Sequence, residues 1–293
     1  MNDMILQIDL PALLIATMAA IICSLCGAFL VLRRQALMSD ALSHVVLPGI
    51  VTGYLVSGTI AALPMLLGAL GACLLAVSLM ALIRRVRIIE SGAIMGIVFT
   101  TLFALGVLLL EQKVGGRVHL DAHHALYGAL ELTYWPGIFT PDMWQTMPAD
   151  MPLLFFVMLA VTMLVLVFYK ELKLATFDPL LAQGQGLRPA WVSAGLLALS
   201  AVGCVAAFQA VGSILVIALF ICPAACARLL TSSLAGYLCC SASCAILMAV
   251  IGYGLAATAP LWLGIPAALS AAGMIAVTGG VMVALAACYT SRT

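Results

Sequence analysis

An aspartate and a histidine lie four residues apart in the apolar stretch MSDALSHVVLPGI, residues 38–50. Positions i and i+4 of an α-helix lie on one face, so the Asp40 carboxylate and an imidazole nitrogen of His44 can converge on one point. Pro48 lacks the N–H that would bond to the carbonyl of His44, which frees that oxygen and favours a kink. Carboxylate oxygen, imidazole nitrogen and backbone oxygen together suit Mn²⁺, Fe²⁺ or Zn²⁺. The spacing therefore indicates half of a divalent metal site, which two copies of the chain around a pore would complete.

The spacing alone leaves a second interpretation of this pair open. Ionisable groups in hydrocarbon cost at least about 2.5–3.5 kcal/mol each on insertion scales, so they persist mainly where they serve a pathway. Asp40, however, lies only a few residues into its apolar run. The two residues then either line the route of an ion or a proton, or form a simple hydrogen-bonded pair near the inner membrane surface.

The composition indicates that these residues lie in a membrane. The 293 residues are 65% hydrophobic and 8% charged, with a formal net charge of +1, and the mean hydropathy is +1.24. Soluble domains have about 45–50% apolar and about 25% charged residues. A water-soluble surface cannot be built from this composition, and nothing in it suggests binding to nucleic acid.

The predicted fold class is an all-α polytopic membrane protein that forms one transmembrane domain over residues 1–293. A spanning helix needs about 20 mainly apolar residues. About nine such runs, within a range of eight to ten, are predicted at 11–32, 36–57, 61–83, 91–110, 152–169, 190–211, 213–228, 232–257 and 264–288. The run 213–228 is short and contains Pro223, so a broken or re-entrant segment is expected there. Within these runs the ionisable residues are Asp40, His44 and, at the end of its run, Arg228.

The distribution of lysine and arginine predicts the orientation. With residues 33–35 in the cytoplasm and nine alternating spans, ten basic residues lie inside and only Lys113 and Arg117 lie outside. Cytoplasmic loops carry the excess of basic residues in membrane proteins. We therefore expect the amino terminus outside the cell and the carboxyl terminus in the cytoplasm.

The predicted cytoplasmic segment 170–189 contains a readable helix start. Asp178 can accept hydrogen bonds from backbone N–H groups as an N-cap, and Pro179 occupies the first helical position, where its missing N–H costs nothing. A short helix over 179–183 is expected, ended by the glycines that follow. It is either an ordinary helix at the membrane surface or a docking site for a soluble partner.

The predicted external segment 111–151 is rich in histidine. Two interpretations stay open, since the residues form either a solvated loop whose aromatic side chains lie among lipid headgroups or an entrance that passes a metal ion into the pore. The residues that would line the entrance are His119, Asp121, His123 and His124.

Several stretches resemble one known family. LMSDALSHVVLPGI is similar to the signature of the permease subunits of bacterial ABC uptake systems for manganese, zinc and iron, although Ser39 stands where that family usually has glycine. Further similar stretches begin at Gly92, Glu171, Val211 and Ile265. Together they are spread over most of the chain.

The resemblance implies an importer with the fold of the vitamin B12 type. Such an importer has two permease subunits, either two copies or a copy with a sister permease, and two cytoplasmic ATPases. An extracellular solute-binding protein or lipoprotein delivers the metal. ATP is expected on the partner, because the chain contains no G-x-x-x-x-G-K-[ST] motif. The permease itself is then neither an enzyme nor the holder of a cofactor, and it lies in the bacterial inner membrane.

The resemblance also assigns roles to residues. Asp40 and His44 match the metal pathway. Pro48 and Gly49, in the same stretch, are predicted to gate or kink the helix. The residues that match the helix coupled to the ATPase are Glu171, Phe177, Asp178, Pro179 and Leu180.

The function indicated is an ATP-driven importer of Mn²⁺, Fe²⁺ or Zn²⁺. The ligand types do not rank these three ions. The alternatives are a secondary metal transporter driven by protons or ions, and an ABC permease for siderophores or cobalamin.

Overall fold

The computed structural model describes residues 2–59, 62–84, 89–114, 130, 133–136, 146–148, 150–263 and 269–291. Within these ranges the chain is helical, and a π-helical turn, Leu110–Val114, continues the fourth helix. The helices are α1 (Asn2–Leu32), α2 (Leu37–Ser57), α3 (Ala62–Ile83), α4 (Ser91–Leu109), α5 (Asp150–Val167), α6 (Tyr169–Phe177), α7 (Pro179–Gly184), α8 (Pro189–Val211), α9 (Ser213–Leu230), α10 (Leu234–Leu263) and α11 (Ala271–Thr290).

The described part of the chain has nine helices that are long and apolar enough to cross a membrane, namely α1 to α5 and α8 to α11. This confirms the predicted number of about nine. Helix α9 is continuous although it contains Pro223, so the expected break is wrong. A proline removes one backbone donor, and a membrane helix tolerates this when neighbouring helices pack around it, as α1, α10 and α11 do here.

The first helix corrects a second expectation. Helix α1 begins at Asn2 rather than at residue 11, and the apolar span within it begins at Gln7. Asp9 therefore lies inside a spanning helix, where its Oδ1 accepts a 2.8 Å hydrogen bond from the Tyr253 hydroxyl. The Asp40 carboxylate is thus not alone among the spans, but Asp9 has a hydrogen-bonding partner near the opposite end of the bundle.

Helix α1 forms the centre of the bundle. It packs against α5, α8, α9 and α10, and its side chains from Ile22 to Leu30 are almost all buried. A Cβ at Gly27 would overlap the backbone of Phe220 in α9, and one at Gly203 of α8 would lie 2.7 Å from Ile22 Cγ2. Small residues at these crossings let the helix backbones approach closely, as is typical of membrane helices.

Helix α2, which carries Asp40 and His44, is held tightly by α3 and α4. A Cβ at Gly49 would overlap Ala69 of α3, and a Cβ at Gly68 would overlap the carbonyl oxygen of Gly49. On the α4 side, a Cβ at Gly106 would overlap Pro48. These contacts leave little freedom for α2 to shift relative to its two neighbours.

Contacts between distant residues identify the two ends of the bundle. The Arg33 side chain, just after α1, reaches Thr176 of α6 and Ser193 of α8. At the other end, the Trp135 N–H donates to the carbonyl oxygen of Gln7, with N and O 3.0 Å apart. The turn before α2 and the segment containing α6 and α7 therefore share one end, as the alternating arrangement of spans requires.

Candidate functional site

The acidic and imidazole side chains of α2 converge as their spacing predicts. Asp40 lies in the first turn of the helix, and His44 lies one turn later. The distance from His44 Nε2 to Asp40 Oδ1 is 3.3 Å, and the two side chains are 35% and 37% exposed, respectively. The pair is therefore neither sealed in the helix bundle nor fully open, and both groups remain accessible to a ligand.

Two phenylalanines of α4 surround the His44 ring, which the sequence analysis did not anticipate. The ring stacks on Phe99 with centroids 5.7 Å apart and an interplanar angle of 23°. It meets Phe103 edge-on, with centroids 5.8 Å apart. The two phenylalanines are four residues apart, which places them on one helical face. This spacing is the feature of the sequence that could have indicated a shared aromatic contact. Such aromatic contacts fix the plane of the imidazole.

The neighbouring face of α2 is buried, and its hydroxyl groups bond locally. Ser39 and Ser43 are 0% and 1% exposed. Ser39 Oγ donates to the carbonyl oxygen of Ala36 over 2.9 Å. Ser43 Oγ donates to the carbonyl oxygen of Ser39 over 2.9 Å and lies 3.5 Å from Cys204 Sγ of α8. The serine at position 39 is thus accommodated without an unsatisfied hydroxyl.

Pro48 and Gly49 lie in the packed middle of α2, which runs unbroken from Leu37 to Ser57. Both residues are buried. Pro48 contacts α4 at Gly106, and Gly49 contacts α3 at Ala69. Their assignment to gating stays a prediction. The structure places them where α2, α3 and α4 meet, about one helical turn after His44.

The pair supplies too few ligands for a metal ion by itself. Among the residues that the structure describes, no group of three or more His, Cys, Asp and Glu side chains is arranged to hold a metal. The predicted entrance residues His119, Asp121, His123 and His124 lie outside the described residues. Further ligands are therefore expected from a second copy of the chain, from water or from that segment.

The predicted short helix forms as α7. Asp178 Oδ1 accepts a 2.9 Å hydrogen bond from the Leu181 N–H, and Pro179 is the first helical residue. The helix extends to Gly184, one residue further than expected. Gly186 follows with φ of +82°, and the Leu187 N–H donates to the carbonyl oxygen of Ala182 over 3.0 Å. The N-cap and the glycine stop are thus confirmed.

Apolar side chains project from this segment at the end of the bundle. Phe177 is 59% exposed and Leu180 is 79% exposed. Glu171, in the first turn of α6, is half-buried instead, and its Oε2 has no hydrogen-bond partner among the described residues. The exposed part of the segment therefore begins at Phe177 and includes all of α7 except the buried Ala182.

Sequence comparison places the chain among membrane transport proteins. The model of the ABC 3 transport family matches residues 6–287. The chain is 39% identical over 214 residues to the zinc transport system membrane protein TroD of Treponema pallidum. The aligned region covers 73% of this chain and 58% of that protein. It is 38% identical over 287 residues to the manganese transport system membrane protein MntD of Bacillus subtilis, which covers 96% of this chain and 90% of that protein.

Structural comparison agrees. A chain of PsaBC from Streptococcus pneumoniae, solved in complex with Fab, matches with a TM-score of 0.74 and 28% identity over 94% of this chain and 89% of that chain. An inward-facing ABC transporter described as of the metal-chelate type matches with a TM-score of 0.72 over 98% of this chain and 88% of that chain. Its 16% identity makes this a likeness of fold alone. The predicted fold class, an all-α polytopic ABC permease, is confirmed.

Proposed function

The chain belongs to the ABC 3 transport family, and from that premise we propose that it is the membrane-spanning permease subunit of an ATP-driven importer of divalent transition metal ions. The observation that carries the proposal is the His44 and Asp40 pair, 3.3 Å apart and about one third exposed, on a spanning helix. The manganese and zinc transport named for the relatives supports the choice of cargo. The cargo class is Mn²⁺, Fe²⁺ or Zn²⁺.

The pair has the chemistry to pass such an ion across the apolar region. The Asp40 carboxylate supplies negative charge and oxygen, and the neutral His44 imidazole supplies nitrogen, which together suit these cations. Nε2 and Oδ1 face each other, so a cation that enters between them replaces their mutual contact. Phe99 and Phe103 hold the ring, so the His44 side chain loses little conformational entropy when the ion binds. A second permease copy or a sister permease would complete the ligand set.

The segment around α7 supports coupling to a separate ATPase. Phe177 and Leu180 expose apolar surface, and the Asp178 cap with Pro179 at the first position prefolds the helix that presents it. A preformed helix loses little conformational entropy on docking. ATP binds to and is hydrolysed on that partner, and Glu171, half-buried in the first turn of α6, belongs to the same segment.

The sidedness of the bundle follows from the same proposal. The end that carries Arg33, Thr176 and Ser193 faces the cytoplasm, because basic residues concentrate there. The amino terminus is then outside the cytoplasm and the carboxyl terminus inside, with the chain in the inner membrane. A metal-binding lipoprotein or solute-binding protein docks over the outer end, where His119, Asp121, His123 and His124 receive the ion.

Reconstitution tests the proposal. The chain is placed in proteoliposomes with its ATPase and its binding protein, and ATP hydrolysis and accumulation of Mn²⁺, Fe²⁺ and Zn²⁺ are measured separately. We expect at least one of the three ions to stimulate hydrolysis and to accumulate only with ATP. Accumulation driven by a proton gradient without ATP, or no accumulation of any of the three, would contradict the proposal.

A further inference from the structure

We propose that Arg33 is a positioning residue that links the segment around α7 to the amino-terminal turn of α2, and so transmits ATP-driven movement to Asp40. This inference rests on the proposed function. It concerns how the two predicted sites communicate, and it starts from the hydrogen bonds of one side chain to two other helices.

The Arg33 guanidinium joins residues that are far apart in the sequence. Its Nε donates to Thr176 Oγ1 over 3.1 Å, and its Nη1 donates to Ser193 Oγ over 2.6 Å. A planar guanidinium holds its donors in a fixed fork, so it can bind both hydroxyl groups at once, which the single ammonium of lysine cannot do in the same geometry. The end of α1 is thereby tied to both α6 and α8.

The two hydroxyl groups flank α7. Thr176 is the penultimate residue of α6, just before the Asp178 cap, and Ser193 lies in the first turns of α8. All of α7 therefore lies between the two points that Arg33 holds. A displacement of α7 by a docked partner would reach the guanidinium through either hydroxyl.

The connection from Arg33 to α2 is short and internally bonded. The Gln35 N–H donates to the carbonyl oxygen of Leu30 over 2.8 Å, and the Arg34 N–H donates to that of Val31 over 3.0 Å. Together with the positive φ of Arg34, +57°, these bonds form a Schellman turn. The Met38 N–H then donates to the Gln35 carbonyl oxygen over 2.9 Å. No slack loop separates Arg33 from the turn of α2 that contains Asp40.

The environment of the Arg33 guanidinium is unusual for a side chain that only stabilises the fold. Burial lowers the pKa of the Arg33 guanidinium, and within the described ranges no carboxylate lies in ion-pair distance of it. Its Nη2 is buried and has no hydrogen-bond partner among those residues. One donor thus remains available for a different arrangement of the junction, as a link between two states requires.

Matched substitutions at Thr176 test the link. Thr176→Val keeps the side-chain shape and removes the oxygen that accepts from Arg33, whereas Thr176→Ser keeps the oxygen. In the reconstituted complex we expect Thr176→Val and Arg33→Gln each to lower the Mn²⁺ moved per ATP hydrolysed by about three- to tenfold, the factor that one hydrogen bond of typical net strength represents. Thr176→Ser is expected to move as much Mn²⁺ per ATP hydrolysed as the wild type does.

The double variant and a charge control separate coupling from folding. Arg33→Gln with Thr176→Val should be no worse than Arg33→Gln alone, because Arg33→Gln already removes the bond to Thr176 as well as the bond to Ser193. Arg228→Gln, which removes an exposed charge at the same end of the bundle, should leave the ratio unchanged. Assembly with the ATPase is monitored by co-purification throughout.

Three outcomes would overturn the inference. The first is a wild-type ratio of Mn²⁺ moved to ATP hydrolysed in Thr176→Val. The second is a ratio in Thr176→Ser as low as that expected for Thr176→Val, and the third is additive losses in the double variant. If the wild-type complex transports Mn²⁺ while these variants match it, only the inference on Arg33 fails. If the wild-type complex transports no divalent ion, the proposed function fails as well.

Discussion

The Asp40 carboxylate and the His44 imidazole form the only contact between an acidic side chain and a Lys, Arg or His side chain within the described residues, at 3.3 Å. Their helix is otherwise apolar, and its buried face uses Ser39 and Ser43 in local hydrogen bonds. The two hydroxyl groups on that buried face are therefore satisfied locally, whereas the Asp40 and His44 side chains are each about one third exposed. This difference is the physical basis for assigning transport to the pair and not to the serines.

Removing either ligand of the proposed pathway should abolish metal uptake. Asp40→Asn keeps the shape and removes the charge, and His44→Gln keeps a polar group but removes the imidazole. We expect each variant to lower Mn²⁺ uptake at saturating ATP by at least about tenfold, since even residues that only support metal ligands cost 10- to 100-fold.

The same substitution at another carboxylate in a spanning helix is the control. Asp9→Asn still offers an oxygen to the Tyr253 hydroxyl that bonds to Asp9 over 2.8 Å, and it should preserve uptake. Equal losses in Asp9→Asn and Asp40→Asn would mean that uptake responds to any lost charge in the bundle, and the assignment of the pair would be wrong.

At the scale of single residues, what could be predicted from the sequence was local. The convergence of Asp40 and His44 follows from helical spacing, and the Asp178 cap is a contact of a side chain with its own backbone three residues on. The aromatic contacts of His44 could not be placed, because they depend on which face of α4 meets α2. Helix α4 is apolar on nearly all sides, so its sequence carries little information about that orientation.

At the scale of helices, the position of α2 depends on close approach to its neighbours. Pro48 packs on α4 where a Cβ at Gly106 would overlap it, and Gly49 packs on α3 where a Cβ at Gly68 would overlap its carbonyl oxygen. Proline and glycine thus build a compact junction beside the proposed metal pathway. Any enlargement there should displace the helix that carries Asp40 and His44.

A pair of glycine substitutions in α4 tests this packing. Gly106→Ala adds a methyl group that would overlap Pro48, whereas Gly96→Ala meets nothing within 4 Å. We expect Gly106→Ala to destabilise the protein by about 1–3 kcal/mol, the usual cost of overpacking, and to lower its melting temperature in detergent. Gly96→Ala should leave the melting temperature unchanged or slightly raised. Equal melting temperatures for both variants would show that α2 and α4 are not in close contact.

Helix ends and breaks were harder to predict from the sequence than the number of helices. The charge of Asp9 made the apolar run seem to begin at residue 11, although a carboxylate near the end of a span is tolerated when a hydroxyl bonds to it. Pro223 suggested a break because a proline has no backbone N–H and so removes one hydrogen bond of the helix. The packing of three helices around α9, which no local rule contains, keeps that helix continuous.

At the scale of the whole molecule, the bundle brings its basic turns and the α7 segment to one end. Helix α7 exposes Leu180 there, at 79% of its surface, and Arg33, which lies in the turn before α2, bonds to Thr176 at the same end. A partner that pushes α7 therefore acts on the end at which Asp40 lies. In the proposed orientation, the opposite end, marked by the contact of Gln7 with Trp135, is the end at which a binding protein would dock.

A charge on the exposed tip of α7 should release the ATPase. Leu180→Glu places a carboxylate where an apolar contact is proposed, and losing such an anchor typically costs at least about 2 kcal/mol, or roughly thirtyfold in affinity. We expect co-purification of the ATPase to fall accordingly, with no change in the melting temperature of the permease because Leu180 contacts little of the bundle. Leu230→Glu, an exposed leucine at the same end of the bundle but on α9, should retain the ATPase. Loss of the ATPase in both variants would argue against a specific site at α7.

The most direct test of the central claim is electron spin echo spectroscopy of Mn²⁺ trapped in the assembled complex by its binding protein. The account predicts modulation from a coordinated imidazole nitrogen that disappears in His44→Gln. Nitrogen modulation that persists unchanged in His44→Gln, or Mn²⁺ in the membrane domain with no nitrogen ligand in the wild type, would contradict it.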